Sequence, residues 1–184
     1  MIHTQAYDLS VWSSHRAGMG RAGYSNQSLS FSQTQTWQRN LSVPTPAWTS
    51  PAKRSYWQKL DEIQPRVTDD WVNHVVADAK FVWLGSSTDD TIRCLNLTTG
   101  MEEWSFVTDG PVRYAPVLVG ELLFFGSDDG HVYCVNAKNG QLLWRKHLGP
   151  RDWRIPGNGR MISLWPVRTG LVEKNGVIYA TAGL

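Results

Sequence analysis

Thr91–Trp104 reads TIRCLNLTTGMEEW and His131–Trp144 reads HVYCVNAKNGQLLW, the same plan forty positions apart. Cys94 recurs as Cys134, Asn96 as Asn136, Gly100 as Gly140 and Trp104 as Trp144, while Ile92 and Leu95 are answered by Val132 and Val135. A short apolar run, a glycine turn and a tryptophan in each copy describe one supersecondary unit, which buries its apolar faces by stacking against its neighbours.

The copies extend upstream. Phe81–Gly85 (FVWLG) and Leu122–Gly126 (LLFFG) precede the matched segments, and Val75–Val76 and Val117–Val119 precede those. The first unit carries one extra residue in Ser86–Asp90 relative to Ser127–Gly130, which a polar turn tolerates and a strand would not. Each unit therefore reads as four strands, placed in the second at Ala115–Val119, Leu122–Ser127, His131–Asn136 and Gln141–Leu148. Asp128-Asp129-Gly130 and Lys138-Asn139-Gly140 are hairpin turns in which glycine takes the positive φ, and Asn96 and Asn136 can cap those turns through their side chains. The fold class is all-β, a β-propeller of four-stranded antiparallel blades, with Trp104 and Trp144 at the seams between blades. Blades are expected at about 71–110 and 111–150, with a partial one at 165–184. In that partial blade Val167–Val172 and Val177–Ala182 are the first two strands around an Asn175-Gly176 turn. About two and a half blades make an incomplete ring, so the chain reads as the amino-terminal portion of a longer protein.

Gly130–Trp144 (GHVYCVNAKNGQLLW) resembles the G-x-V-Y-A-L-D-A-x-T-G-x-x-x-W core of propellers built from pyrroloquinoline-quinone-type (PQQ-like) repeats. The first unit departs at Asp90 and Arg93, and both carry Asn where the family prefers Asp. Trp12–Tyr24 (WSSHRAGMGRAGY) is loosely similar to the segment that opens such propellers. The resemblance implies either a quinoprotein alcohol dehydrogenase, using PQQ and calcium, or a non-catalytic scaffold similar to the propeller lipoprotein of outer-membrane barrel assembly. Dehydrogenases of this family use an adjacent Cys-Cys pair and acidic calcium ligands. No Cys-Cys occurs here, and no cofactor residue or metal ligand carries over.

Residues 1–70 are organised differently. Leu29–Leu41 is the expected ring-closing strand, Pro44–Lys53 a loop, and Ser55–Ile63 a short helix with an N-cap serine. Hydrophobic residues make up 41% and charged residues 18% of the chain, which suits buried strands. A net charge of +2 is too small to argue for a nucleic-acid or membrane partner, so no nucleic acid is expected, and no apolar run is long enough for a membrane-spanning helix. Met1–Asp8 holds no apolar core of an export signal, whereas the family resemblance favours a periplasmic or secreted location.

The remaining oddity is Leu148–Gly170, an inserted loop between the second and third blades. From Arg145 to Gly170 there are five arginines and one lysine against one aspartate, with Trp153 and Trp165 interleaved. Arg151, Trp153, Arg154, Asn158, Arg160 and Trp165 form the candidate ligand or partner site, because arginine beside tryptophan suits anionic or planar groups. The competing and stronger reading makes these arginines ties to carboxylates on neighbouring blades. The five histidines show no ligand spacing, so no metal or catalytic set is assigned. Asp89-Asp90 and Asp128-Asp129 recur in one turn of successive units and read as turn chemistry. The favoured function is a non-catalytic scaffold for a protein or envelope partner, without cofactor. The alternative is a PQQ- and calcium-dependent dehydrogenase with its active site in further blades.

Overall fold

A computed structural model of the protein describes residues 11–18, 20–24, 28, 34–41, 74–157 and 160–183. The expected loop at Pro44–Lys53 and helix at Ser55–Ile63 lie outside the described residues. The first blade is an antiparallel sheet of β1 (Val75–Ala77), β2 (Phe81–Gly85), β3 (Thr91–Asn96) and β4 (Glu102–Val107) in that order. The second repeats it with β5 (Val117–Val119), β6 (Leu122–Gly126), β7 (His131–Asn136) and β8 (Leu142–His147). Both blades break register at the same point. Cys94 faces Trp104 while Leu95 faces Glu102, and Cys134 faces Trp144 while Val135 faces Leu142. Glu103 and Leu143 are thus extra residues of a repeated bulge, which bends and twists the outer strand.

Two sequence expectations are displaced. The stretch 148–170 is not a plain loop, since β9 (Arg154–Gly157) and β10 (Arg160–Ser163) pair as an antiparallel hairpin. Alternation drives this: Ile155 and Ile162 face each other across the ladder, and Ile162 is buried. The third unit begins later than Val167, with β11 (Val172–Lys174) and β12 (Val177–Tyr179) around Asn175 and Gly176, both in left-handed backbone at φ 56° and 78°. Val167 belongs to the connection instead. A Cβ on Gly126 would lie 2.4 Å from its Cγ1, just as a Cβ on Gly85 would lie 2.6 Å from Cγ1 of Val112. Pro111-Val112-Arg113 and Pro166-Val167-Arg168 are therefore one repeated linker element.

The blades meet through a core containing Val76, Trp83, Ile92, Val112, Leu123, Phe125 and Tyr133. Phe125 and Tyr133 stack with centroids 5.3 Å apart. At the seam Trp104 and Trp83 both donate indole N–H bonds to the Ala137 carbonyl, at 3.0 and 2.9 Å. Trp37 does for the first blade what Trp104 does for the second. Its Nε1 donates to the Leu97 carbonyl at 2.8 Å, and its ring occupies the space beside Gly100 that the Trp104 ring occupies beside Gly140. Of the expected closing strand, 34–41 is described and carries no strand ladder, being held by Trp37 and by Arg39 on Glu102 at 2.5 Å. Trp144 is 44% exposed and packs on Phe124. The opening segment runs antiparallel to β1, with Trp12 bridging Ala77, and Ser13 accepts the Leu118 N–H at 2.8 Å.

Candidate functional site

The β2–β3 and β6–β7 turns share one end of the blades with the linkers that lead into β5 and β11, and β9–β10 folds over that end. Its centre is Asp128, whose side chain is fully buried. Arg168 donates Nε to Oδ1 at 2.9 Å and Nη2 to Oδ2 at 2.8 Å, and Arg113 donates Nε to Oδ2 at 2.6 Å. The two arginines are the same residue of successive Pro-Val-Arg linkers, so one carboxylate ties the linker into β5 to the linker into β11. Such a forked, charge-assisted arrangement compensates the desolvation of the ions.

Asp129 is the true partner of Asp89 in the repeat. Asp129 accepts from the Tyr133 hydroxyl and the His131 N–H, and Asp89 accepts from Arg93 and the Thr91 hydroxyl, the same neighbours forty positions earlier. Asp90 corresponds to Gly130, both in left-handed backbone at φ 58° and 89°. Asp128 therefore has no carboxylate counterpart in the first unit, where Ser87 follows Ser86 as Asp128 follows Ser127. The equation of the two aspartate pairs as plain turn chemistry is corrected on this point. Burial pushes the Asp89 carboxyl up, but hydrogen bonds from Arg93, Ser86 and Thr91 outweigh it and hold the group below its ordinary range. Burial leaves the Asp90 carboxyl raised despite Arg160, and burial together with Asp129 raises the Tyr133 phenol.

The candidate residues of the insertion divide into ties and an exposed face. Arg160 pairs with Asp90 and donates to the Thr88 carbonyl at 3.2 Å, anchoring the hairpin to the first blade across the second. Arg154 lies 3.8 Å from Asp109 and 3.4 Å from Asp152. The Arg151 guanidinium sits 5.1 Å from the Trp153 ring centroid, Trp153 is 52% exposed, and its ring lies 6.0 Å from that of Trp165. Asn158 lies outside the described residues. Beneath the hairpin His147 points Nδ1 at the Gly149 carbonyl, 3.1 Å away, while its buried Nε2 has no partner and its ring lies 4.9 Å from that of His131. Asp128 was read from sequence only as a turn residue, and Arg113, Arg168 and this imidazole pair were not singled out. The repeated Pro-Val-Arg was the available signal.

Among the described residues no three His, Cys, Asp or Glu side chains gather in a way that could hold a metal ion. Cys94 and Cys134 are free and buried. Among them, too, no helix is long and apolar enough to cross a membrane.

Residues 31–173 match the family model described as outer membrane protein assembly factor BamB. Tetrathionate hydrolase of Acidithiobacillus ferrooxidans is 31% identical over 61 residues, which is 33% of this chain and 12% of that protein. BamB from Moraxella catarrhalis aligns with a TM-score of 0.47 at 16% identity, over 59% of this chain and 29% of that one. A quinohemoprotein alcohol dehydrogenase from Pseudomonas putida HK5 aligns with a TM-score of 0.40 at 24% identity, over 48% of this chain and 15% of that one. The chain thus spans less than a third of the length of these relatives.

Proposed function

Matched over residues 31–173, the chain belongs to the BamB-like family of PQQ-repeat propellers, and we propose that it is part of a non-catalytic binding module for a protein partner of the cell envelope. The observation that supports this reading is the division of labour between the β9–β10 hairpin and the segment that leads into it. Arg160 fixes the hairpin to the first blade, while Arg151 and Trp153 stand outward as a stacked cation and ring. Tryptophan and arginine on an exposed face are the side chains that dominate protein interfaces.

The test is site-specific photocrosslinking from position 153 of the full-length protein in its own envelope, followed by identification of the adduct and measurement of its affinity. Arg151→Ala with Trp153→Ala should weaken that affinity at least tenfold without lowering the melting temperature. Unchanged affinity would sink the assignment of this face. Dye-linked oxidation of an alcohol by the full-length protein supplied with PQQ and calcium would instead favour the dehydrogenase reading.

A further inference from the structure

His131 in β7 and His147 in β8 stand directly opposite each other in the ladder of the second blade, so both side chains rise from one face of the sheet. Their ring centroids are 4.9 Å apart and the rings are inclined at 63°. The same two positions of the first blade hold Thr91 opposite Val107, so the pair is not part of the plan that the two units share.

Each ring is tied through the same nitrogen. Nδ1 of His131 lies 3.3 Å from Oδ1 of Asp129, whose side chain is fully buried, and Nδ1 of His147 lies 3.1 Å from the Gly149 carbonyl. A carboxylate and a carbonyl only accept, so in both rings Nδ1 carries the hydrogen and Nε2 presents its lone pair. Metal-bound histidines are held in this way, with an outer carboxylate or carbonyl that fixes the tautomer and aims the ring. Nε2 of His147 is also buried without a hydrogen-bond partner, a costly state for a nitrogen that serves packing alone. Residue 130 leaves that nitrogen uncovered by being glycine: a Cβ there would lie 2.9 Å from Nε2 of His147 and 2.6 Å from Oγ of Ser163.

We propose that His131 and His147 are a two-histidine clip for a divalent transition-metal ion of the zinc class, each ligating through Nε2. Zinc–imidazole bonds of about 2.0–2.1 Å place two rings on one tetrahedral ion with centroids about 5 Å apart, which is the separation seen here. Imidazole donors select such an ion over magnesium or calcium. Among the described residues no third His, Cys, Asp or Glu joins the pair, so water completes the coordination and the site is an open one. The clip is separate from the exposed Arg151 and Trp153 face, and neither reading needs the other.

The probe is zinc ion added to the full-length protein after treatment with a chelator, with binding followed by calorimetry and by the melting temperature. Zinc should bind and raise the melting temperature, and it should bind more weakly as the pH falls, because the ligating nitrogens must be unprotonated. His131→Asn and His147→Asn keep a side-chain N–H near the place of Nδ1 but have no Nε2, so each should weaken zinc binding by at least about tenfold. His15, whose ring lies 5.0 Å from that of His74, is the control, and His15→Asn should leave zinc binding unchanged. Nitrogen NMR of the wild-type imidazoles reads the site without any substitution: zinc should shift Nε2 of both His131 and His147 and leave both rings hydrogenated at Nδ1. No zinc binding by the wild type, binding untouched by both His131→Asn and His147→Asn, or unshifted Nε2 resonances of this pair would overturn the proposal.

Discussion

The indole of Trp104 fills the space in which Gly140 of the next blade would carry a side chain. A Cβ there would lie 2.6 Å from the ring's Cε3, and Gly140 sits at φ +71° besides. Trp37 stands in the same relation to Gly100, again at 2.6 Å, although it precedes the first blade. The tryptophan and the glycine are thus two halves of one seam.

Trp104→Ala should cost about 3 kcal/mol, the usual order for truncating a packed tryptophan, because it opens a cavity and removes one of the two indole donors to the Ala137 carbonyl. Trp144→Ala should cost clearly less, since Trp144 is 44% exposed. Thermal and urea melts of the two variants check the order; equal losses would contradict the seam geometry.

Gly140→Ala should destabilise by more than the roughly 1 kcal/mol that a left-handed residue costs, because the added methyl also collides with the ring. Gly176 has a comparable φ of 78° and open space around it, so Gly176→Ala should show the conformational cost alone. Denaturant midpoints of the pair separate the two effects.

Asp128→Ala removes the shared partner of two arginines and should cost about 3–5 kcal/mol, the order for stranding buried charge. Arg168→Ala should cost less, since Arg113 still holds the carboxylate at 2.6 Å. A double-mutant cycle between Arg113 and Arg168 should be strongly non-additive. Additive losses would mean that Asp128 does not couple the two linkers.

Burial pushes the Cys94 thiol up to about 12, with Glu103 and Asp78 adding to the shift, and burial raises Cys134 as well. Thiolate is the reactive form, so neither residue should be alkylated by iodoacetamide at neutral pH until the protein unfolds. Mass spectrometry across a urea series should show labelling that tracks the unfolded fraction. Rapid labelling in the native state would count against their burial.

The folded Asp89 carboxyl lies below its ordinary value of 3.8, so its ion pair contributes stability above that pH and loses it as the pH falls further. Asp89→Asn should lower the melting temperature near neutrality and make it less sensitive to acid below about pH 4. Parallel acid dependence in wild type and variant would remove Asp89 from the acid response.

The sequence by itself determined the blade. Alternating apolar runs, turn glycines and the forty-residue echo from Cys94 to Cys134 are local or nearest-neighbour features, and local propensity together with the repeat suffices to specify them. The repeated bulge left no trace in the spacing, because both copies carry it and the period stays the same. Only the tertiary structure decided which charges meet. Arg160 and Asp90 are seventy residues apart, and Arg168 and Asp128 forty, so their pairing depends on where the linkers cross the blade ends. The same holds for His15 beside His74. Composition shows that arginines are plentiful after Arg145, but which are ties and which face outward follows from the packing of the β9–β10 hairpin and the direction in which it folds.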